Sequence, residues 1–159
     1  MPSARWNALQ AVVDVLATIT PGGPNAYIYD LSVPGVVHYG IATDEMRLQS
    51  TNAVDVQVEE DREDYNAPEI SPGTLRRALF IVRLDCILRG DFDTHPRRRI
   101  NDLLRDINVC IGLNPTLNSS VVRCVIARVD EPQYSPDERV CSIVVFLAID
   151  YTYTAGVTF

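Results

Sequence analysis

The chain has 159 residues, a length typical of one domain, and its 47% hydrophobic and 22% charged residues suit an ordinary soluble globular protein. Its net charge of −7 argues against a protein that grips nucleic acid over its whole surface, because phosphate binding needs an excess of basic residues. All 14 basic residues are arginine, which excludes Schiff bases, P-loop lysines and lysine general bases. The longest apolar run, at residues 140–149, is about half a membrane span, and the first residues lack the apolar stretch of a signal peptide. We therefore expect a chain that is neither exported nor inserted in a membrane.

The first half of the chain predicts one helix followed by short strands. The helix is predicted from apolar residues that recur at three- and four-residue intervals: Trp6, Leu9, Val13, Leu16 and Ile19. Ser3 is its expected N-cap, and the Pro-Gly-Gly-Pro sequence at residues 21–24 ends it. Short strands or extended segments are predicted next, at residues 26–32 and 36–43, and a strand is predicted at residues 52–58.

A change of composition marks residues 55–73, which we predict to be a long acidic loop within the domain. Five of the six residues 59–64 are carboxylates, and prolines and a glycine follow shortly after them. Arg62 alone cannot neutralise these charges, so the isolated loop is expected to be extended and mobile. The alternative is a merely solvated turn.

The second half is more regular. Residues 78–88 alternate so that every second side chain is apolar, which predicts a long strand. A second amphipathic helix is predicted from Pro96 to about residue 111, with Thr94 as a candidate N-cap and Gly112 as its end. Two further strands are predicted at residues 121–129 and 139–154. This order predicts an α+β fold, with two helices packed on a mainly antiparallel (mixed) β-sheet, in a single domain over residues 1–159.

The last predicted strand carries apolar residues on both faces. Two helices of this size cover about one face of a four-stranded sheet, so the second face needs another cover. Within the chain only residues 26–73 are available for that, and the alternative is a second copy of the protein. We therefore expect self-assembly.

The sequence contains no recognisable catalytic, nucleotide-binding or metal motif. Its cysteines lie far apart in apolar segments, without a C-x-x-C pair, and are expected to be buried free thiols: Cys86, Cys110, Cys124 and Cys141. Asp91, Asp93 and His95 place three potential metal ligands within five residues, but no fourth ligand follows at a recognisable spacing. We expect no cofactor and no metal. The alternative is a small α+β enzyme or ligand-binding domain with a site at these three residues.

A basic cluster, Arg97, Arg98 and Arg99, opens the second predicted helix, where positive charge opposes the helix dipole. That position favours contact with an anion. The preferred anion is a carboxylate of a neighbouring subunit, with Asp91 and Asp93 as candidates. The alternatives are a solvated helix end and nucleic-acid phosphate, which the acidic chain disfavours.

The layout resembles the tail-terminator (tail-completion) proteins of long-tailed bacteriophages, small α+β proteins that form hexameric rings capping the tail tube. The resemblance rests on an opening helix with RWNALQAVVDVLATI and a long strand with RRALFIVRLDCILRG. A helix with INDLLRDINVCIGL and a final apolar strand with IVVFLAIDYTYT complete it. It implies a virion structural protein without catalytic activity, assembled in the host cytoplasm and placed at the tail–neck junction.

The implied partners are further copies in a hexameric ring, the tail tube protein, and a head–tail connector or neck protein. Genomic DNA would pass through the ring without sequence-specific binding. The acidic segment falls where such proteins carry variable loops, and we expect it to order against a basic surface of a partner. The alternative is that it lines the bore and repels DNA phosphate. The residues expected to make the partner contact are Glu59, Glu60, Asp61, Glu63, Asp64, Tyr65 and Ile70.

Overall fold

A computed structural model of the chain describes residues 3–39, 53–64, 75–90 and 95–154. Within these residues the elements are, in chain order, α1 (Ala4–Leu16), β1 (Val37–Tyr39), β2 (Val54–Asp64), β3 (Leu75–Arg89), α2 (Pro96–Leu113), β4 (Arg123–Val129), β5 (Gln133–Tyr134) and β6 (Val140–Thr154). The strands form one sheet in the order β1-β2-β3-β6-β4, and β5 pairs with the start of β6. β1 runs parallel to β2, and all other neighbours are antiparallel. The predicted α+β fold in a single domain is confirmed.

β3 and β6 are the centre of the sheet and pair along their whole length of 15 residues each. The apolar face predicted for residues 78–88 is buried at every position, and so are the matching residues of β6. Alternation with a period of two put these side chains on one face, where they form the core together with α1 and α2.

The first helix begins as predicted, because the Ser3 hydroxyl accepts a hydrogen bond from the Trp6 N–H at 3.1 Å. Its buried face differs in part from the prediction. Trp6 is 40% exposed, while Val12 and Val15 are buried. The Trp6 ring lies at the rim of the sheet, edge-on to the Tyr39 ring with centroids 4.8 Å apart, so α1 is turned away from the predicted stripe.

Of the two alternatives predicted for residues 26–32, a short strand or an extended segment, the strand is wrong. This segment makes only an isolated bridge between Gly22 and Tyr27. Gly22 and Gly23 have φ of 83° and 69°, a left-handed conformation that glycine adopts readily and that turns the chain back. The N–H groups of Ile28 and Tyr29 then donate to the Asp106 carboxylate of α2 instead of to a strand.

The prediction of an acidic loop at residues 55–73 is wrong for residues 55–64. Residues 54–64 form β2, which pairs with β3 from Val54 opposite Leu88 to Asp64 opposite Leu79. Arginines that are distant in sequence stabilise the carboxylates of this strand: Arg83 lies 3.5 Å from Glu59, and Arg5 binds Glu60. The rest of the predicted loop, residues 65–73, lies outside the described residues.

α2 begins at Pro96 as predicted, but its N-cap is His95 and not Thr94. The helix continues past Gly112 to Leu113, because the Asn114 side-chain amide and backbone N–H both donate to the Cys110 carbonyl. After the helix, β4 starts at residue 123, and the unpredicted strand β5 extends the same edge of β6.

Candidate assembly surface

The sheet has one face that the helices cover and one that no described element covers. The core shared by α1, α2 and the strands holds the buried side chains of the first face, including Val58, Leu84 and Leu147. Phe146 of β6 points to the opposite face; it is buried without belonging to that core. We call this opposite side, with Phe146 near its centre, the open face.

The open face alternates apolar side chains with ion pairs. Ile81 and Ile87 of β3 and Val144 of β6 are half-buried there. The ion pairs connect neighbouring strands or residues of one strand: Arg83 with Glu59 and Asp85, Arg89 with Asp55, and Arg77 with Asp150. The hydrogen bond to Asp150 raises the pKa of Arg77. Such a surface combines apolar side chains with charges that already have partners, and contiguous apolar surface of this kind is typical of interaction sites.

A shallow depression of about 220 Å³ lies on the open face between two irregular strands. Its lining is Asp61, Ile81, Ala127, Arg128 and Phe146. Asp61 and Ala127 are the extra residues of bulges in β2 and β4. The Arg128 guanidinium carbon lies 4.1 Å from the centre of the Phe146 ring, and its Nε lies 2.9 Å from the Asp130 carboxylate. Enzyme pockets are usually larger, about 300–1,000 Å³, with convergent polar groups.

The two edges of the sheet carry opposite charge. β1 pairs with residues 56–58 of β2 only, so among the described residues no strand pairs with the outer side of residues 59–64. This acidic edge is defined by those six residues. β4 forms the other edge, carries Arg123 and Arg128, and contains no carboxylate. We call it the basic edge.

The three arginines of the predicted basic cluster on α2 differ in their exposure. Arg97 and Arg98 are exposed in the first turn, whereas Arg99 is half-buried against the core. The Arg99 carbonyl accepts a hydrogen bond from the Tyr29 hydroxyl at 2.9 Å. Burial raises the pKa of Tyr29 to about 12, although the Arg99 charge acts in the opposite direction. Only Arg97 and Arg98 therefore face outward, and the subunit contact expected of the cluster stays a prediction.

Of the three residues of the alternative site, Asp91, Asp93 and His95, the structure describes only His95. Asp91 and Asp93 lie outside the described residues. The His95 imidazole accepts a hydrogen bond from the Arg97 N–H through Nδ1, at 3.2 Å, and so caps α2. In the part of the chain that the structure describes, no three His, Cys, Asp or Glu residues lie together as a metal site.

The residues expected to contact a partner protein are only partly described. Glu59 and Glu60 are half-buried and held by Arg83 and Arg5, while Asp61 is exposed at the bulge. Glu63 and Asp64 are the last two residues of β2. Tyr65 and Ile70 lie outside the described residues.

Sequence reasoning missed Asp106, a fully buried carboxylate on α2. One of its oxygens, Oδ2, accepts the N–H groups of Ile28 at 2.8 Å and Tyr29 at 2.9 Å. The other, Oδ1, binds the Arg105 guanidinium at 3.0 Å. The signal was present in the sequence, because Asp106 lies three residues after Leu103 and so falls on the apolar stripe of the helix. A charge at such a position predicts a buried partner.

The thiols are free and buried, as the sequence predicted. Burial raises the pKa of Cys124 to about 12 and that of Cys141 to about 11, and it also raises the pKa of Cys86. A thiol needs its thiolate form to act as a nucleophile or metal ligand. We therefore expect these three thiols to stay protonated at neutral pH. None of the described helices is long and apolar enough to cross a membrane.

No family profile matches the chain. No curated protein matches it in sequence. Among solved structures it is similar to a chain in the virion of a native gene transfer agent particle. The two share 9% identity, with a TM-score of 0.45 over 92% of this chain and 94% of that chain.

Proposed function

We propose that the chain is a structural virion protein that forms a ring at the end of a phage tail tube, where it terminates tail assembly and joins the tail to the head connector. The observation that carries the proposal is the open face, whose half-buried apolar side chains and paired charges lie opposite the helix-covered face. A partly apolar sheet face that none of the described elements covers is a candidate association surface.

The charge difference between the two edges supports a ring over a two-fold dimer. In a two-fold dimer each surface meets its own copy, so an acidic edge would meet an acidic edge. Contact between the acidic edge of one copy and the basic edge of the next is heterologous, and such contacts close into a ring when the rotation permits. The number six comes from the family resemblance.

The proposed partners are the tail tube protein below the ring and a connector or neck protein above it. The exposed Arg97 and Arg98 at the start of α2 are proposed to bind carboxylates of a neighbouring copy, since arginine pairs with carboxylates in a fixed geometry. DNA would pass through the ring without sequence-specific contacts, because a chain of net charge −7 repels phosphate.

The open face favours this role over an enzyme. Its depression of about 220 Å³ is shallow, and the Arg128 beside it is stacked on Phe146 and paired with Asp130. Polar groups that are already paired in this way are poorly placed to act on a substrate.

The proposal is tested by native mass spectrometry and negative-stain electron microscopy of the purified chain, first alone and then on tail tubes. We expect closed rings, most of them hexamers, on the tube end. In a phage lacking the protein, tubes should grow beyond their normal length and heads should stay unjoined. A strictly two-fold dimer in the particle, or normal tails without the protein, would contradict the proposal.

A further inference from the structure

We infer that neighbouring copies of the chain join edge to edge, with the acidic edge of one copy pairing antiparallel to the basic edge of the next. The sheet then runs without interruption from copy to copy. The inference rests on the proposed ring, because it names the surface and the register through which copies of that ring bind one another.

Both edges lie at the same level of the sheet. Glu59 of β2 is opposite Arg83 of β3, Arg83 is opposite Phe146 of β6, and Phe146 is opposite Arg128 of β4. Residues that lie opposite one another across the strands form one row of the sheet. Four rows further along, Asp64 and Arg123 occupy the two ends of another row, which passes through Leu79 and Asp150. Copies related by rotation about an axis along the strands would therefore bring the two edges together without a vertical step.

The strand directions also agree. β2 and β4 run in opposite directions along the sheet, because β2 is antiparallel to β3, β3 to β6 and β6 to β4. With all copies in the same orientation, β2 of one copy and β4 of the next form an antiparallel pair. Antiparallel pairs tolerate one exposed face and pair slightly better per residue than parallel ones.

The bulges match in number. Between the row of Arg83 and the row of Leu79, β2 contains one extra residue, Asp61, and β4 contains one extra residue, Ala127. Both edges thus span the same five rows with the same number of residues, 59–64 and 123–128. A regular strand would fall out of register against either edge alone. The bulges of the two edges lie one row apart, so the two edges return to a common register from the row of Ile81 onward.

This register places residues of opposite charge at matching positions at both ends of the contact. Glu59 comes to lie opposite Arg128, and Asp64 comes to lie opposite Arg123. Glu59 and Arg128 have side chains on the same open face, where Glu59 contacts Arg83 and Arg128 covers Phe146. The Arg128 side chain is 64% exposed, so a neighbour's Glu59 can reach the guanidinium while its Nε stays paired with Asp130. Directly opposed carboxylate and guanidinium groups stabilise a strand pair.

The equal level of the edges favours a closed ring over a filament. A heterologous contact with a vertical step repeats as a helix, and the same contact without a step returns to its starting height and closes. Charge at a sheet edge opposes pairing with other proteins, so the carboxylates of β2 disfavour any partner edge that does not carry matching positive charge.

A disulfide trap tests the register. Within one copy, Glu59 and Arg128 are three strand spacings apart, about 14 Å, too far for a disulfide, which needs Cα atoms within about 7 Å. In Glu59→Cys/Arg128→Cys we expect mild oxidation to give covalent multimers up to the complete ring on a non-reducing gel. Each single variant should give dimers at most. The native thiols should not interfere, because they are buried.

The matched control is Glu59→Cys/Arg123→Cys, which has the same two edges but places its cysteines five residues out of register. It should give no multimers under the same oxidation. Equal cross-linking of both double variants would overturn the inference. So would the absence of cross-linking near the solubility limit of the protein.

A charge exchange gives an independent readout. We expect Glu59→Arg alone and Arg128→Glu alone to assemble at least tenfold more weakly than the wild type by analytical ultracentrifugation, with circular dichroism confirming their folds. An equimolar mixture should assemble, because every contact in an alternating ring again opposes a carboxylate and a guanidinium. Assembly of either variant alone at wild-type strength would overturn the inference.

The two experiments separate this inference from the proposed function. Closed rings by electron microscopy without the Glu59–Arg128 cross-link would leave the ring intact and reject the edge pairing. Cross-linked open filaments would support the edge pairing and reject the ring.

Discussion

Replacing Asp106 by alanine should detach residues 25–29 from α2. The carboxylate is fully buried, and one oxygen accepts the N–H groups of both Ile28 and Tyr29, at 2.8 and 2.9 Å. Alanine removes that acceptor and leaves the N–H group of the buried Tyr29 without a partner. It also frees Arg105, whose guanidinium binds Asp106 together with the Ala26 carbonyl.

The size of the loss follows from these bonds. A hydrogen bond to a charged group contributes about 1.5–3 kcal/mol, and an unsatisfied buried donor costs about 1–3 kcal/mol. Because Ile28 lies near the surface and its N–H can reach water, we expect a total of about 3 kcal/mol for Asp106→Ala. For a chain of 159 residues this corresponds to roughly 6–12 °C in Tm.

Urea unfolding followed by circular dichroism measures this difference as a shift of the midpoint at constant slope. Asp106→Asn separates hydrogen bonding from charge, because an amide oxygen can still accept both N–H groups while the pairing with Arg105 is lost. We expect it to cost about 1 kcal/mol. Asn108→Ala, an exposed change on the same helix, should be nearly neutral. An Asp106→Ala variant as stable as the wild type, or an Asp106→Asn variant as unstable as the alanine variant, would refute the reasoning.

Three further predictions concern thiols, an ion pair and the start of α2. Burial raises the pKa of Cys124 from 9.0 to about 12. Between these two pH values the unfolded chain releases a proton that the folded chain retains, so stability that is present below pH 9 is lost as the pH rises toward 12. The wild type should lose unfolding free energy between about pH 8 and about pH 10, and Cys124→Ala should reduce that loss by about 1.4 kcal/mol, measured by urea unfolding at both pH values. An equal loss in the variant and the wild type would contradict this. Arg5→Ala should lower the unfolding free energy by about 1 kcal/mol through loss of the half-buried pair with Glu60, and a double-mutant cycle with Glu60→Ala should show coupling, whereas additive losses would deny it. Reversal of Arg97 and Arg98 to glutamate should weaken assembly in ultracentrifugation and leave circular dichroism unchanged; assembly at wild-type strength and without salt dependence would show that these arginines are only solvated.

The elements that the sequence predicts well are those whose own pattern determines their environment. β3 and β6 alternate with a period of two over many residues, and the buried residues of α2 recur with the helical period. These patterns also led to the expectation of a second apolar face on the last strand, which the structure places opposite the helices as the open face.

The elements that were mispredicted depend on partners distant in sequence. The carboxylates of β2 suggested a loop because Arg5 and Arg83, which bind them, lie on α1 and β3. The segment at residues 26–32 has the residue types of a strand, but Asp106 takes the N–H groups that a strand would donate. A local reading of charge and propensity does not contain these long-range contacts.

The long pairing of β3 with β6 makes the domain mechanically anisotropic. Fifteen residue pairs at about 3.3 Å each form a ribbon roughly 50 Å long. Tension along the strands loads the transverse hydrogen bonds of this ribbon together, in shear, so that they must fail at once. Tension across the strands loads them one after another, as in a zipper. A domain built in this way resists pulling along its strands far better than pulling across them.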